Sequence, residues 1–115
     1  EKVLTALYAV PNGVWRMSPD IPNLVETSSS LARVIVKDGS FVTQSLQRSS
    51  IESGKHDVAF AVRAAVEAVG ATVVNDGDYP GWAPNADSRI MRTMEGLYKD
   101  LFKEAPKVSA CHAGL

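Results

Sequence analysis

The sequence predicts an α+β domain, in which helices pack on one face of an antiparallel or mixed sheet. Two alternating apolar segments flank Asp38-Gly39, which is a strong β-hairpin signal. Two later segments carry apolar residues at helical spacing, and a short stretch able to form a strand follows each of them. The predicted element order is α-β-β-α-β-α-β, and such an order, beginning with a hairpin, is typical of α+β folds.

The chain opens with a short predicted helix followed by an irregular connection. Apolar residues recur at helical spacing over residues 3–8, and the turn residues Pro11-Asn12-Gly13 end that pattern. Residues 14–23 contain two prolines, which lack a backbone donor and restrict the residues before them. We therefore expect no regular element in residues 14–23.

The predicted hairpin spans residues 24–37 and 41–50. A two-residue type I′ turn at Asp38-Gly39 determines which residues face one another. The predicted cross-strand pairs are Val36 with Phe41, Ile35 with Val42, Leu31 with Leu46, and Ser29 with Arg48. Arg48 then shares one face of its strand with Leu46 and Val42.

Two amphipathic helices are predicted after the hairpin. The first ends at Gly70, and the second begins at Asp87 or Ser88 and ends before Pro106. The apolar positions of the first are Val58, Val62, Ala65, Val66 and Val69. Those of the second are Ile90, Met91, Met94, Leu97, Tyr98, Leu101 and Phe102. We expect the apolar stripes formed by these positions to pack on one face of the sheet. The core residues predicted from them are Val62, Val66, Met91, Met94, Leu97 and Leu101.

Two short strands and one long loop complete the predicted fold. Residues 71–74 and 107–111 are rich in β-branched or apolar side chains and are expected to join the sheet. Residues 75–85 concentrate Gly, Pro, Asn and Asp, and a loop of that length is often functional or firmly anchored.

The composition describes one soluble domain of 115 residues, of which 45% are hydrophobic and 22% are charged. The net charge of −1 and the scattered basic residues argue against nucleic acid or a membrane as a partner. The single cysteine, Cys111, excludes an internal disulfide, and no Cys/His quartet is present for zinc. We expect a cytoplasmic protein, and the initial Glu1 suggests a piece of a longer chain.

Few residues carry obvious chemistry. His56 lies near a helix start among charged residues, which favours a surface role over that of a ligand or base. Cys111 and His112 are adjacent on a predicted strand and so point to opposite faces, which argues against a thiol nucleophile activated by that histidine. The aspartates of the long loop lack the spacing of a calcium-binding loop and are interpreted as turn and cap residues.

Arg48 is the polar residue in the least expected position. A guanidinium on an apolar strand face either extends to solvent, forms an internal salt bridge, or presents two donors to a bound carboxylate. Residues 47–55 also concentrate polar donors where the strand meets the next helix, a place where sites often lie. Spacing alone favours the two structural interpretations.

Five ordered motifs resemble one protein family. They are Pro11-Asn12-Gly13-Val14, Val25-Glu26-Thr27-Ser28, Arg48-Ser49-Ser50-Ile51-Glu52-Ser53-Gly54-Lys55, Tyr79-Pro80-Gly81-Trp82-Ala83-Pro84-Asn85 and His112-Ala113-Gly114-Leu115. In this order, over nearly the whole chain, they resemble the aminoacyl-histidine dipeptidases. Members of that family are cytoplasmic zinc-dependent metallopeptidases that hydrolyse Xaa-His and other dipeptides, with two metal ions in a catalytic domain and an inserted lid domain.

The resemblance implies that residues 1–115 form one α+β domain, the C-terminal part of the lid. Residues 112–115 would begin the return to the catalytic domain. The catalytic base, the metal ligands and both zinc ions would lie outside this chain, so we expect no catalytic residue and no metal in it. The implied partners are the dipeptide substrate and the catalytic domain of the same polypeptide, and a homodimer is a further candidate.

Two substrate-binding residues follow from the same resemblance. Arg48 matches the arginine of the family's Arg-Ser-x-x-x-Ser-Gly motif, which is implied to engage the C-terminal carboxylate of the substrate. His112 opens the last motif, and it either lines the substrate cleft or packs behind it.

A rival hypothesis is a non-catalytic α+β interaction module. Such a module would pair through an exposed sheet edge, and Arg48 would form a structural salt bridge. The two hypotheses differ in whether a catalytic domain flanks this chain.

Overall fold

The computed structural model describes residues 1–113, and this part of the chain forms three helices and one antiparallel sheet. The elements are α1 (Lys2–Ala9), β1 (Gly13–Met17), β2 (Val25–Lys37), β3 (Ser40–Ser49), α2 (Glu52–Glu67) and α3 (Arg89–Phe102). The strand order is β1-β2-β3, so β2 is central. The α+β class is confirmed, whereas the observed order α-β-β-β-α-α differs from the predicted one.

The hairpin forms where the sequence predicts it. Asp38 and Gly39 both have positive φ, 51° and 75°, as a type I′ turn requires. The predicted pairs next to the turn, Val36 with Phe41 and Ile35 with Val42, are confirmed.

A β-bulge changes the register farther from the turn. The pairing shifts between Leu31 and Arg33, so Ala32 is an extra residue in β2. Beyond it, Ser30 faces Leu46 and Ser28 faces Arg48, and the predicted pairs Leu31 with Leu46 and Ser29 with Arg48 are wrong. The paired residues of β3 run without interruption, so Arg48 keeps the predicted face of Leu46.

The connection predicted for residues 14–23 is wrong in its first part. Gly13–Met17 forms β1, which pairs irregularly with β2 from Ser29 to Val25. Both prolines lie after this strand, in a turn where the Ser18 hydroxyl accepts the N–H groups of Asp20 and Ile21. The prolines therefore end β1 and do not prevent it.

Neither of the two short predicted strands joins the sheet. Residues 71–74 and 107–111 lie outside every strand of the described structure. Ala71 and Val73 are partly buried against the core without strand pairing. The β-branched character of residues 72–74 does not place this stretch in the sheet, because the preference of such residues for strands depends largely on burial.

The core lies between α2 and one face of the sheet. Val62 and Val66 are buried there as predicted, with Val10 of the α1 end beside them. Gly54 allows the start of α2 to approach the sheet, since a Cβ at this position would lie 2.8 Å from Thr27 Oγ1 and 3.0 Å from Ser49 Oγ. This contact places the N-terminus of α2 directly over the end of β3.

The predicted packing of α3 is wrong. No residue of α3 is buried, and Leu97, Leu101 and Met94 are largely exposed. Periodicity correctly predicts the helix, but the surface that would cover its apolar stripe is not formed by residues 1–113. None of the helices in this part of the chain has the length and apolar character needed to cross a membrane.

Candidate functional site

Arg48 lies next to the last residue of β3, opposite Ser28 of β2. Its Nε is buried and has no hydrogen-bond partner among the described residues. No carboxylate in residues 1–113 forms a salt bridge with it. A buried donor without a partner is costly and uncommon in a folded protein, and none of the described side chains supplies an acceptor for this one.

His112 lies against the same pair of strands. Its Nε2 is 2.7 Å from Ser28 Oγ, in a hydrogen bond whose direction depends on the tautomer of the ring. Burial lowers the pKa of His112 below the usual histidine value, and the nearby charge of Arg48 lowers it further. At neutral pH a cationic guanidinium therefore stands beside a neutral imidazole and a hydroxyl, a set that suits a carboxylate ligand.

The loop after α2 is fastened to the start of that helix by one ammonium group. Lys55 Nζ donates to Asp78 Oδ1 at 2.7 Å and to the Tyr79 carbonyl at 2.9 Å, and it lies 2.9 Å from Glu52 Oε2. Glu52 Oε1 in turn accepts the backbone N–H of Gly81 at 3.0 Å. Only 12% of the Lys55 side chain is exposed, so these contacts surround it.

The charges of this cluster support one another. The hydrogen bond from Lys55 lowers the pKa of Glu52, and the N–H of Gly81 lowers it further. The same ammonium lowers the pKa of Asp78, while hydrogen bonds to Asp78 and then to Glu52 raise the pKa of Lys55. All three groups are therefore charged throughout the neutral pH range.

Arg48 and His112 line one groove together with the loop. Tyr79 and Trp82 form part of its wall, and residues 71–74 lie along it. Its volume is about 1280 Å³, above the range of ~300–1,000 Å³ that is common for ligand pockets. It is an open groove on the surface of this chain, large enough for a small ligand.

Of the other candidate residues, His56 and Cys111 also line this groove, whereas Asp87 does not. His56 is exposed, in agreement with its predicted surface role, and Cys111 is also exposed. Asp87 lies 3.6 Å from Arg92 on the surface. Residues 1–113 contain no group of three or more His, Cys, Asp and Glu side chains that could hold a metal ion. The described residues therefore do not fit a zinc site.

Sequence reasoning missed two features of this region. It assigned Asp78 to a turn, whereas the carboxylate is a partner of Lys55, 23 positions earlier in the chain. It also missed the buried polar group at the end of the strands, where Thr27 Oγ1 and Ser49 Oγ are 2.8 Å apart beside buried Glu26. The available signal was the concentration of polar residues over positions 47–55.

Comparison with known proteins identifies relatives in sequence and in structure. The chain is 38% identical over 109 residues to the cytosol non-specific dipeptidase of Escherichia coli strain K12, which is 95% of this chain and 22% of that protein. It superposes on the crystal structure of the aminoacylhistidine dipeptidase from Vibrio alginolyticus with a TM-score of 0.86 and 36% identity. That superposition covers 99% of this chain and 23% of the other. No protein-family model matches the sequence.

The chain therefore spans less than a quarter of the length of these relatives. The likeness in sequence and the likeness in fold point to dipeptidases, and both extend over essentially all of this chain. The groove with Arg48 and His112 lies within the matched region.

Proposed function

We propose that this chain is one segment of an aminoacylhistidine dipeptidase, the part that holds the C-terminal carboxylate of the substrate. The proposal is supported by the likeness of nearly the whole chain to two dipeptidases. The segment corresponds to the C-terminal part of a lid domain over residues 1–115. The end of the chain, residues 112–115, leads back to a catalytic domain of the same polypeptide; Gly114 and Leu115 lie outside the described residues. By analogy with the relative named a cytosol dipeptidase, the protein acts in the cytoplasm.

Arg48 is the proposed carboxylate anchor. The single observation that carries this role is its buried Nε without a partner, at the end of a strand and in an open groove. A guanidinium offers two parallel N–H donors, and this fork matches the two oxygens of a carboxylate. A bound dipeptide would supply the acceptor that the described residues do not.

His112 is proposed to contact the same substrate as a neutral group. Its hydrogen bond to Ser28 holds the ring beside Arg48, and its lowered pKa keeps the proton off at neutral pH. A neutral ring adds a polar contact to the substrate. A protonated ring would instead place a second positive charge next to the guanidinium, and the two cations would repel each other.

The hydrolytic chemistry is assigned to residues outside this chain. Two zinc ions are the cofactors implied by the family, and the described residues do not fit a zinc site. This chain is therefore given the tasks of binding, orienting and covering the substrate, which are the contributions expected of a lid.

The proposal can be tested with a substrate that lacks the carboxylate. In the full-length polypeptide, Arg48→Ala should lower kcat/KM for a dipeptide by about 10²-fold, because charge-assisted hydrogen bonds to the carboxylate are lost. We expect the wild type to hydrolyse the corresponding dipeptide amide more slowly, and Arg48→Ala should leave that rate unchanged. Arg48→Lys should recover only part of the loss, since the planar fork is absent.

The same variants separate the substrate role from a structural salt bridge. With no ion-pair partner in the described residues, Arg48→Ala should change the free energy of unfolding by no more than about 1 kcal/mol, through the packing of its half-buried side chain. Unchanged kinetics combined with a loss of several kcal/mol would contradict the anchor role, because breaking a buried ion pair has that cost.

The exposed stripe of α3 favours a second candidate function, an interaction surface. Leu97, Leu101 and Phe102 are more than half exposed on one helix, and contiguous apolar surface of this kind marks contact sites. The surface could be covered by the rest of the same polypeptide or by a second copy of it. Sedimentation of the full-length protein distinguishes these two cases.

A further inference from the structure

We propose that Lys55 is a positioning residue that sets the width of the Arg48 groove, and that the loop it holds selects the side chain of the substrate's C-terminal residue. The loop is residues 78–82. This inference rests on the proposed function, since it assumes that Arg48 holds the carboxylate of a dipeptide.

The loop and Arg48 are positioned by the same end of β3. Gly81 lies so close to the Ser49 carbonyl that a Cβ at position 81 would overlap that oxygen. Ser49 directly follows Arg48, and the N–H of Gly81 is simultaneously held by Glu52. The distance between the loop and the guanidinium is therefore determined by close backbone contact and by the cluster around Lys55.

Lys55 differs from an ordinary surface cation. Exposed ion pairs contribute little, because solvent screens them and the side chains lose freedom. Lys55 is largely buried and uses its three donors on two carboxylates and one main-chain carbonyl. The carboxylates of Glu52 and Asp78 are themselves 48% and 69% exposed, so solvent screens their mutual repulsion. Removing the ammonium therefore acts mainly by taking away the hydrogen bonds that join Asp78 and the Tyr79 carbonyl to α2.

The held loop presents aromatic surface to the groove. Tyr79 is 46% exposed and Trp82 is 65% exposed, and both line the groove together with Arg48. If Arg48 holds the carboxylate, the nearest variable group of a dipeptide is the side chain of its C-terminal residue. Aromatic faces favour planar side chains by stacking, so the loop should favour a planar C-terminal side chain over glycine.

The test compares two dipeptides that share the first residue and differ in the second, Xaa-His and Xaa-Gly. In the full-length protein, Lys55→Met keeps the aliphatic stem and removes the charge. We expect kcat/KM for Xaa-His to fall about tenfold through a higher KM, since the loop loses the charged hydrogen bonds that hold it where it contacts the histidine side chain. For Xaa-Gly, kcat/KM should change by less than about twofold. Lys55→Arg keeps the positive charge, so it should retain part of the preference for Xaa-His over Xaa-Gly that Lys55→Met loses.

Two further variants support the test of Lys55, one as a second way to displace the loop and one as a control. Gly81→Ala pushes the same loop away from Ser49 without altering any charge, and it should reduce the preference for Xaa-His in the same way. If Lys55→Met does not fold, Gly81→Ala decides the question. Arg63→Met removes a cation that contacts Glu67 on the same helix and is the matched control, which should keep the wild-type preference.

Each outcome separates the inference from the proposed function. If the wild type hydrolyses neither dipeptide, the proposed function is wrong and the inference is wrong with it. If Arg48→Ala impairs hydrolysis but Lys55→Met and Gly81→Ala change both dipeptides equally or not at all, only the positioning role is overturned. A selective loss of Xaa-His hydrolysis in both variants supports it.

Discussion

At the scale of single residues, the groove pairs a permanent cation with a histidine that is neutral at pH 7. Arg48 carries its charge at all physiological pH values because a guanidinium does not lose its proton in proteins. His112 is held neutral mainly by burial and secondarily by Arg48. This difference matters for ligand binding. One cation, Arg48, is enough to attract a carboxylate, whereas a second cation beside it would destabilise the site when no ligand is bound.

The lowered pKa of His112 gives a pH dependence with a defined sign. The unfolded chain binds this proton more readily than the folded chain, so the stability due to His112 is present above about pH 6.5. This stability is lost as the pH falls from there through the lower pKa that His112 has in the folded chain. We expect the free energy of unfolding of the 115-residue chain, measured by urea denaturation, to fall between pH 7 and pH 5.

Histidine variants identify the group responsible. His112→Gln should reduce the slope of stability against pH in this range, and His56→Gln, which removes an exposed histidine, is the matched control. A slope that is the same in His112→Gln and in the wild type would contradict the assignment. The pKa values of Glu52 and Asp78 are lowered from ordinary carboxylate values, so most of their contribution to the slope falls below pH 5.

At the scale of elements, α2 and α3 have similar sequence patterns and different environments. Val62 and Val66 of α2 are buried against the sheet, whereas α3 buries no residue in the described structure. An amphipathic stripe shows which side of a helix avoids water, but it does not identify what covers that side. The contribution of each stripe to stability therefore depends on the partner surface.

Two alanine substitutions measure this difference. Periodicity alone predicts that Leu101→Ala costs ~2–5 kcal/mol, as for a core leucine. Because 74% of Leu101 is exposed, we expect less than ~1 kcal/mol in the 115-residue chain. Val62→Ala, in the buried stripe, should cost about 1–3 kcal/mol. Equal losses by chemical denaturation would show that α3 is covered in solution.

At the scale of the whole molecule, the chain is elongated. Its radius of gyration is 19.0 Å, compared with about 13 Å for a compact domain of this length. Its longest dimension is 63 Å. An extended shape leaves apolar surface unburied, and it leaves the groove around Arg48 open along one side.

The separation of binding from catalysis predicts the behaviour of the isolated chain. We expect the purified 115-residue polypeptide to hydrolyse no Xaa-His dipeptide at saturating zinc, since residues 1–113 contain no cluster of metal ligands. The full-length protein in the same assay is the positive control. Metal-dependent turnover by the short chain would overturn the assignment of catalysis to residues outside it.

Local chemistry determined the parts that the sequence predicts correctly. The type I′ turn at Asp38-Gly39 and the first pairs of the hairpin follow from residues only a few positions apart. The apolar face of α2 likewise follows from spacing within one helix. The position of Arg48 on its strand face belongs to this group, because alternation along one strand is a local property.

Tertiary structure decided everything that depends on distant partners. The bulge at Ala32 alters the pairing of Arg48, and residues 71–74 pack on the core without joining the sheet. Lys55 meets Asp78 only because the loop returns to the start of α2. Strand pairing, burial and ion pairing all require a second surface, and a side chain's own neighbours in the sequence do not specify that surface.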